Sequence, residues 1–227
     1  MEQFFQILTE LTEGFGNTLL LFAVTLLGAL PLGLAMALGS MSSFKPLKYL
    51  VKGIVWVIRG TPLMLQVLLV SFLPTMLGVK TKDVASALNM SVSSVLFFFV
   101  ALAFVVNYAC YFSEIYRAGI QSIPIGQYEA GQVLGMTKSK IFFKVILLQA
   151  VKRIVPPMSN EIITLVKDTA LAQILGVVDL LNAAKHAVNH YVVLTPFLYA
   201  AVFYLLFNGL LTLFFSRMEK KLDWFKV

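Results

Sequence analysis

Long uncharged stretches dominate the chain, and short polar segments separate them. Four stretches contain no Asp, Glu, Lys or Arg, namely Gly14–Phe44, Gly60–Val79, Met90–Ser113 and Tyr191–Ser216. A helix needs about 20 residues to cross the hydrocarbon of a bilayer, so each stretch is long enough to span a membrane. A fifth apolar stretch, Ile154–Val166, is interrupted by one carboxylate. The pattern predicts an all-α integral membrane protein with five transmembrane helices.

Some of the shorter segments carry helical signals of their own. Met1–Gly16 has apolar residues at helical spacing and predicts an interfacial helix on the outer surface. Asn17 or Thr18 is then expected to start the first span. Lys80–Asn89 predicts a short polar outer loop, and Gln173–His190 predicts an amphipathic outer segment.

The polar segment after the third span has the signals of ordered structure. Pro124 and Gly126 introduce a short predicted helix, Gln127–Leu134, which Gly135 ends. The segment is too polar to lie in the hydrocarbon and too regular for a simple connection. It is expected to dock another component on the cytoplasmic side.

A second helix is predicted directly after that glycine. Thr137 or Ser139 is placed to cap the helix Lys138–Val151. Two adjacent prolines, Pro156 and Pro157, are expected to break the chain before the last part of the fourth span.

Composition agrees with a membrane location and the distribution of charge gives an orientation. The 227 residues are 59% hydrophobic and only 13% charged, whereas soluble chains are about 25% charged. With five spans, segments 40–59, 117–153 and 217–227 would hold 14 of the 18 basic residues. The positive-inside rule then places the N-terminus outside and the C-terminus inside. Residues 1–227 are predicted to form one domain, and the small number of spans predicts oligomerisation or a partner subunit.

The sequence has no motif for enzymatic chemistry. It lacks a phosphate-binding loop, a zinc-protease motif and a dinucleotide fingerprint. His186 and His190 have the i,i+4 spacing of a metal-binding pair, but no third ligand accompanies them. We therefore expect no metal site and interpret the two histidines as an interfacial polar face.

Charged residues inside the fourth span are the strongest candidates for a binding site. Glu161, Thr164 and Asp168 lie on one stripe of a helix because their spacing is +3 and +4. Carboxylates in a span normally face a bundle interior or a wet cavity, where they can bind an ammonium or guanidinium group. Two other interpretations stay open: Asp168 is solvated in the outer interface, and Glu161 pairs structurally with Lys167 or another basic residue.

Several motifs in order resemble those of membrane subunits of ABC importers. Glu129-Ala130-Gly131, Gly135-Met136 and Ile146–Ala150 resemble the EAA loop, although Gly131 replaces an alanine and Leu148 replaces a proline. Three further motifs narrow the resemblance to the permeases of the histidine, arginine, glutamine and cystine systems, over about residues 15–220. These motifs are Arg59–Leu63, Glu114–Ile120 and Lys167–Leu171.

The resemblance implies a multi-pass subunit of the bacterial cytoplasmic membrane that is not itself an enzyme. Two permease subunits, identical or paralogous, would pack together and dock a cytoplasmic ATPase dimer, which binds the ATP and Mg²⁺. This chain would bind no cofactor, and an extracellular or periplasmic binding protein would deliver the amino acid. The residues expected to couple to the ATPase are Gln127, Glu129, Ala130, Gly131, Gly135, Met136 and Lys138.

The resemblance also implies a substrate pocket halfway across the membrane. Glu161, Thr164 and Asp168 would line it, and Thr61 would face the same cavity. The carboxylate at Glu161 favours a basic amino acid, arginine, lysine or histidine, and glutamine and cystine remain alternatives. A membrane-embedded scaffold or enzyme subunit is the alternative of another class, but a scaffold needs no paired carboxylates on one helix stripe.

Overall fold

The computed structural model describes residues 1–222, and every regular element among them is a helix. The predicted all-α class is therefore confirmed for this part of the chain. A π-helical turn, Phe142–Ile146, joins α7 to α8, and a 3-10 helix, Thr169–Leu175, follows α8. The α-helices are α1 (Glu2–Ser40), α2 (Lys45–Arg59), α3 (Leu63–Met76), α4 (Thr81–Ala87), α5 (Val92–Gln121), α6 (Ile125–Val133), α7 (Lys138–Ile141), α8 (Leu147–Asp168), α9 (Leu180–Tyr191) and α10 (Thr195–Leu222).

Three of the described helices, α1, α5 and α10, are long and apolar enough to cross a membrane. The pair α2 and α3 makes a fourth candidate if it counts as one span, although the two helices meet at an angle of 106°. The charged helix α8 does not qualify by composition alone. Three to four spans are thus supported, and the count of five and the orientation stay predictions. Lys226, one of the basic residues expected on the cytoplasmic side, lies outside the described residues.

The first helix differs from its prediction because it has no boundary near Asn17. α1 is one helix of 39 residues, so Met1–Gly16 is the extension of the first span and not a separate interfacial helix. Ile7 and Leu11 are buried in a cluster with α9, which gives this extension an apolar partner. Asn17 Nδ2 donates to the Val178 carbonyl at 2.8 Å, and Thr18 Oγ1 accepts from the Leu180 amide at 3.0 Å. Both side chains hold α1 to the start of α9.

The second predicted span is shorter and less regular than the sequence suggested. α3 has 14 residues, which rise about 21 Å and cannot cross about 30 Å of hydrocarbon alone. The stretch Gly60–Val79 is therefore not one full-length helix. The outer loop predicted at Lys80–Asn89 contains the short helix α4.

The helix α8 continues through the two prolines that were expected to break it. Each proline removes one backbone N–H, yet α8 runs from Leu147 to Asp168 without interruption. Ile154, Met158 and Ile162 are buried in the main core on both sides of Pro156 and Pro157. Packing against α5 therefore outweighs the local cost of the prolines.

The helix α5 lies at the centre of the fold and positions the polar side chains described below. It contacts α1, α2, α3, α4 and α8. Phe104, Tyr108 and Phe112 are fully or almost fully buried on it, and successive rings lie 6.4 and 5.8 Å apart between centroids. Tyr108 is the one polar member of this aromatic row, so its hydroxyl needs a partner inside the bundle.

Candidate functional site

A row of polar side chains on α5 meets the neighbouring helices α2, α3 and α8. Asn107, Tyr111 and Glu114 are spaced +4 and +3, so they lie on one face of α5, and Tyr108 lies beside them. Polar groups inside an apolar bundle are costly unless they have partners. Each of the four has a partner on another helix, as the distances below show.

The first set of contacts stabilises the bend between α2 and α3. Gln66 Nε2 donates to Thr61 Oγ1 at 2.8 Å and to the Ile58 carbonyl at 2.7 Å. Asn107 Nδ2 donates to Gln66 Oε1 at 3.0 Å, which joins the bend to α5. Thr61 Oγ1 donates in turn to the Val57 carbonyl at 3.0 Å. The hydroxyl of Thr61 therefore stabilises the bend between α2 and α3. Thr61 is not among the residues that line the cavity in front of Glu161.

The stripe predicted on α8 is present and half-buried. Glu161, Thr164 and Asp168 are all of intermediate exposure. Tyr108 Oη donates to Asp168 Oδ2 at 2.7 Å. Asp168 is therefore hydrogen-bonded to a buried residue of α5 and is not simply solvated. Within residues 1–222, neither Glu161 nor Asp168 has a cationic group within 4.0 Å. Lys167, the proposed structural partner of Glu161, does not pair with it.

A cavity of about 430 Å³ opens in front of Glu161. Its charged lining consists of Arg59 from α2, Glu114 from α5, and Arg153 and Glu161 from α8, with the ring of Tyr111 beside them. Small-molecule sites have volumes of about 300–1,000 Å³, so the cavity is large enough for an amino acid. Two cations and two carboxylates in one cavity suit a ligand that carries both signs of charge.

Ion pairs organise one wall of this cavity. Arg117 donates to both oxygens of Glu114, from Nε to Oε1 at 3.1 Å and from Nη2 to Oε2 at 2.5 Å. Arg59 Nη1 lies 3.9 Å from Glu114 Oε2, and its guanidinium carbon lies 5.0 Å from the centroid of the Tyr111 ring. The forked contact between Arg117 and Glu114 is therefore the strong one.

Sequence reasoning missed the parts of the site that α2 and α5 contribute. In the sequence, Arg59 and Glu114 stand out only as members of motifs, and no local pattern marks Tyr108 or Tyr111 individually. The available signal was the series of polar and aromatic residues at +3 and +4 spacing along an otherwise apolar span. That spacing indicates one helix face but not which helices face it.

The segment predicted to couple to an ATPase folds as two short helices. α6 ends before Gly135, whose φ of +69° is in the left-handed region, and Thr137 Oγ1 accepts from the Lys140 amide at 3.3 Å as the cap of α7. Of the two predicted caps, Thr137 is the one used. The apolar side chains of Val133 and Leu134 are 88% and 78% exposed. They form an uncovered surface at the tip of this segment.

The other predicted coupling residues surround this tip or hold it to the bundle. Gln127, Glu129, Ala130 and Lys138 are exposed. Met136 is half-buried and packs against the core. Gln127 Oε1 accepts from Gln149 Nε2 at 3.2 Å, which ties α6 to α8. The coupling role of these residues stays a prediction.

Gly131 lies where α6 touches the start of the next helix. A Cβ built at Gly131 would come within 2.7 Å of Ile141 Cγ1, closer than atoms of real side chains approach. The glycine that replaces the alanine of the EAA pattern therefore permits a close contact between α6 and α7. Ile141 itself is buried in the main core.

The two histidines of the outer helix α9 have no companion metal ligands among the described residues. His186 and His190 are exposed on α9, and residues 1–222 contain no group of three or more His, Cys, Asp or Glu side chains that could hold a metal. Asp179 caps α9 by accepting from the amides of Leu181 and Asn182 at 3.2 and 3.0 Å. Burial raises the pKa of Asp179 to about 6.

Comparison with protein families places most of the chain in one of them. Residues 29–224 match the family described as binding-protein-dependent transport system inner membrane component. The L-cystine transport system permease protein TcyB of Bacillus subtilis (strain 168) is 36% identical over 94% of this chain and 86% of its own length. The arginine transport system permease protein ArtQ of the same organism is 34% identical over 92% and 91%. The probable glutamine ABC transporter permease protein GlnM, again of B. subtilis, is 30% identical over 93% and 92%.

Solved structures show the same fold. A crystal structure of an amino acid ABC transporter with histidines matches 96% of both chains with a TM-score of 0.83 and 29% identity. The MetNI methionine ABC transporter, in an inward-facing conformation, matches 98% of both chains with a TM-score of 0.66. Its identity of 18% makes it a likeness of fold alone.

Proposed function

The chain belongs to the family of binding-protein-dependent transport system inner membrane components, and we propose that it is the permease subunit of an ATP-driven importer of a polar amino acid. Similarity to amino-acid permeases along more than 90% of the chain supports this class. Members of the family are transport subunits of the bacterial inner membrane and are not enzymes. Residues 1–227 act as one transmembrane domain in this proposal.

The observation that carries the proposal is the pair of carboxylates on α8. Glu161 and Asp168 lie in an apolar bundle, half-buried, and within residues 1–222 no cation lies within 4.0 Å of either. Such residues are expensive inside a membrane unless they face a wet cavity and a ligand. The carboxylates with Thr164 would form the substrate stripe, and Thr61 would support the cavity by holding the bend between α2 and α3.

The substrate we favour is a basic amino acid. Two carboxylates, two helical turns apart, suit a ligand with two cationic groups, as arginine, lysine or histidine has. The named relatives transport cystine, arginine or glutamine, so glutamine and cystine stand as the alternatives. A ligand with an uncharged side chain, such as glutamine, would leave one carboxylate without a cation, which disfavours it.

Transport would proceed by alternating access with energy from partner subunits. A second permease subunit packs beside this chain, and a dimer of ATPases docks on α6 and α7 and binds ATP and Mg²⁺. Closure of the ATPase pair would tilt the two permeases between inward-open and outward-open states. A binding protein presents the amino acid at the outer face. The exposed Val133 and Leu134 at the tip of the coupling segment are the surface that such an ATPase would cover.

Uptake into proteoliposomes tests this function. The permease is reconstituted with its ATPase and binding protein, and radiolabelled L-arginine, L-glutamine and L-cystine are offered in turn. We expect accumulation of one of the three, with arginine first, only when ATP is enclosed with the ATPase. Glu161→Gln and Asp168→Asn should each reduce it. No uptake of any of the three above the ATP-free level would contradict the proposal.

A further inference from the structure

Arg59 and Glu161 line one cavity from different helices but do not pair with each other. Both side chains contribute to the cavity wall, Arg59 from the end of α2 and Glu161 from α8. Within residues 1–222, Glu161 forms no salt bridge within 4.0 Å, and Arg59 forms one only with Glu114. The two side chains therefore border the same open space with opposite charges. The part of the cavity between Arg59 and Glu161 can therefore hold a ligand group that carries both a negative and a positive charge.

The donors of Arg59 remain available because another arginine already satisfies Glu114. Arg117 contacts both oxygens of Glu114 at 3.1 and 2.5 Å, whereas Arg59 approaches one of them only to 3.9 Å. That distance is too long for a hydrogen bond. The guanidinium of Arg59 lies over Tyr111 with 42% of the side chain exposed. Stacking fixes the plane of the fork without using its N–H groups.

The second arginine of the cavity is less suited to the same task. Arg153 Nη1 donates to the Ser122 carbonyl at 2.6 Å, which ties α8 to the end of α5. Part of its fork is therefore already used by the protein.

We propose that Arg59 and Glu161 form the subsite for the zwitterionic head group of an α-amino acid, with the α-carboxylate on Arg59 and the α-ammonium on Glu161. The inference rests on the proposed function and deepens it. A planar guanidinium fork matches a carboxylate in two parallel hydrogen bonds. The side chain of the ligand then extends along α8 to Thr164 and to Asp168, about 10.5 Å from Glu161 along the helix axis.

The subsite changes which residue sets side-chain specificity. The sequence suggested that Glu161 distinguishes basic from neutral amino acids. In the head-group assignment Glu161 is needed for every α-amino acid, and Asp168 distinguishes the cationic side chains. Glu161→Gln should then weaken the binding of all α-amino acids equally, whereas Asp168→Asn should weaken the binding of arginine more than that of glutamine.

Equilibrium binding to the permease–ATPase complex in lipid nanodiscs tests the subsite without the binding protein. The radioligand is whichever of L-arginine, L-glutamine and L-cystine the wild-type proteoliposomes accumulate, and its α-carboxamide is the competitor. Arg59→Gln should weaken binding about 10- to 100-fold, as expected for the loss of a charged hydrogen-bonded pair. Arg59→Lys keeps the positive charge but lacks the planar guanidinium, so its affinity should lie between those of wild type and Arg59→Gln. Arg217→Gln, an exposed arginine of α10 outside this cavity, is the matched control and should bind within about twofold of wild type.

The competition measured in wild type needs no variant, so a folding defect cannot explain its result. In wild type the α-carboxamide should compete at least about tenfold more weakly than the amino acid, and Arg59→Gln should lose most of this preference. Equal competition in wild type, or binding by Arg59→Gln within twofold of wild type, would overturn the subsite. If wild-type proteoliposomes accumulate none of the three amino acids, the proposed function fails. If they accumulate one and Arg59→Gln binds it normally, only the subsite fails.

Discussion

Replacement of Gly131 by alanine tests whether a close helix contact holds the coupling segment in place. The substitution restores the alanine of the EAA pattern, and alanine favours a helix over glycine by up to about 1 kcal/mol. The new Cβ, however, would meet Ile141 Cγ1 at 2.7 Å. Overpacking of this kind costs about 1–3 kcal/mol. We therefore expect Gly131→Ala to reduce the free energy of unfolding by about 0–2 kcal/mol, although helix propensity alone predicts a gain.

Gly126 is the matched control because it lies in the same helix, α6, and a Cβ there meets nothing within 4 Å. Gly126→Ala should leave stability unchanged or raise it, so the two variants should differ by about 1–3 kcal/mol. Thermal melting of the purified permease–ATPase complex measures the difference. Transport-coupled ATP hydrolysis should fall only in Gly131→Ala.

Truncation of the neighbour should relieve the overlap. Ile141→Ala removes the atoms that the new methyl group meets, so Gly131→Ala and Ile141→Ala together should show a favourable coupling energy of about 0.5–3 kcal/mol. If Gly131→Ala is as stable as Gly126→Ala and the double variant shows no coupling, the close contact does not position α6.

Three further outcomes are expected. Gly135→Pro and Glu129→Lys should each abolish ATP-driven uptake while the subunit still reaches the membrane. For Gly135→Pro the reason is that proline fixes φ near −65°, where Gly135 has +69°. Normal uptake at normal expression would refute the docking assignment. Tyr108→Phe removes the hydroxyl bonded to Asp168 and should lower stability by about 1–2 kcal/mol in thermal melting, whereas an unchanged melting curve would show that the bond contributes nothing. The pKa of Asp179 is raised from 3.8 to about 6, so the folded state binds its proton more tightly than the unfolded state. The stability that this group contributes therefore falls as pH rises from about 4 to 6. Asp179→Asn should make the melting temperature less dependent on pH across that window, and an unaltered pH profile would contradict the burial argument.

Local signals predicted the coupling segment well. The helix ended by Gly135 and the cap at Thr137 depend on turn and capping chemistry within a few residues, and both are present. The all-α class followed from the long uncharged stretches. The spacing of Glu161 and Asp168 placed them on one stripe because a helix face can be read from the sequence alone.

Features that depend on distant packing were not predictable. α8 continues through Pro156 and Pro157 because core contacts on both sides hold it, and α1 has no boundary at Asn17 because α9 covers its first turns. The juxtaposition of Arg59 with Glu161 joins residues about one hundred positions apart in the sequence. A single sequence carries no signal for such a juxtaposition.

A cryo-electron microscopy structure of the permease–ATPase complex with its transported amino acid bound tests the central claim most directly. The account predicts ligand density in the space between α2, α5 and α8, in contact with Glu161 and extending along α8 towards Asp168. Density for the amino acid elsewhere in the membrane domain, with Glu161 and Asp168 free of ligand at saturating concentration, would contradict it.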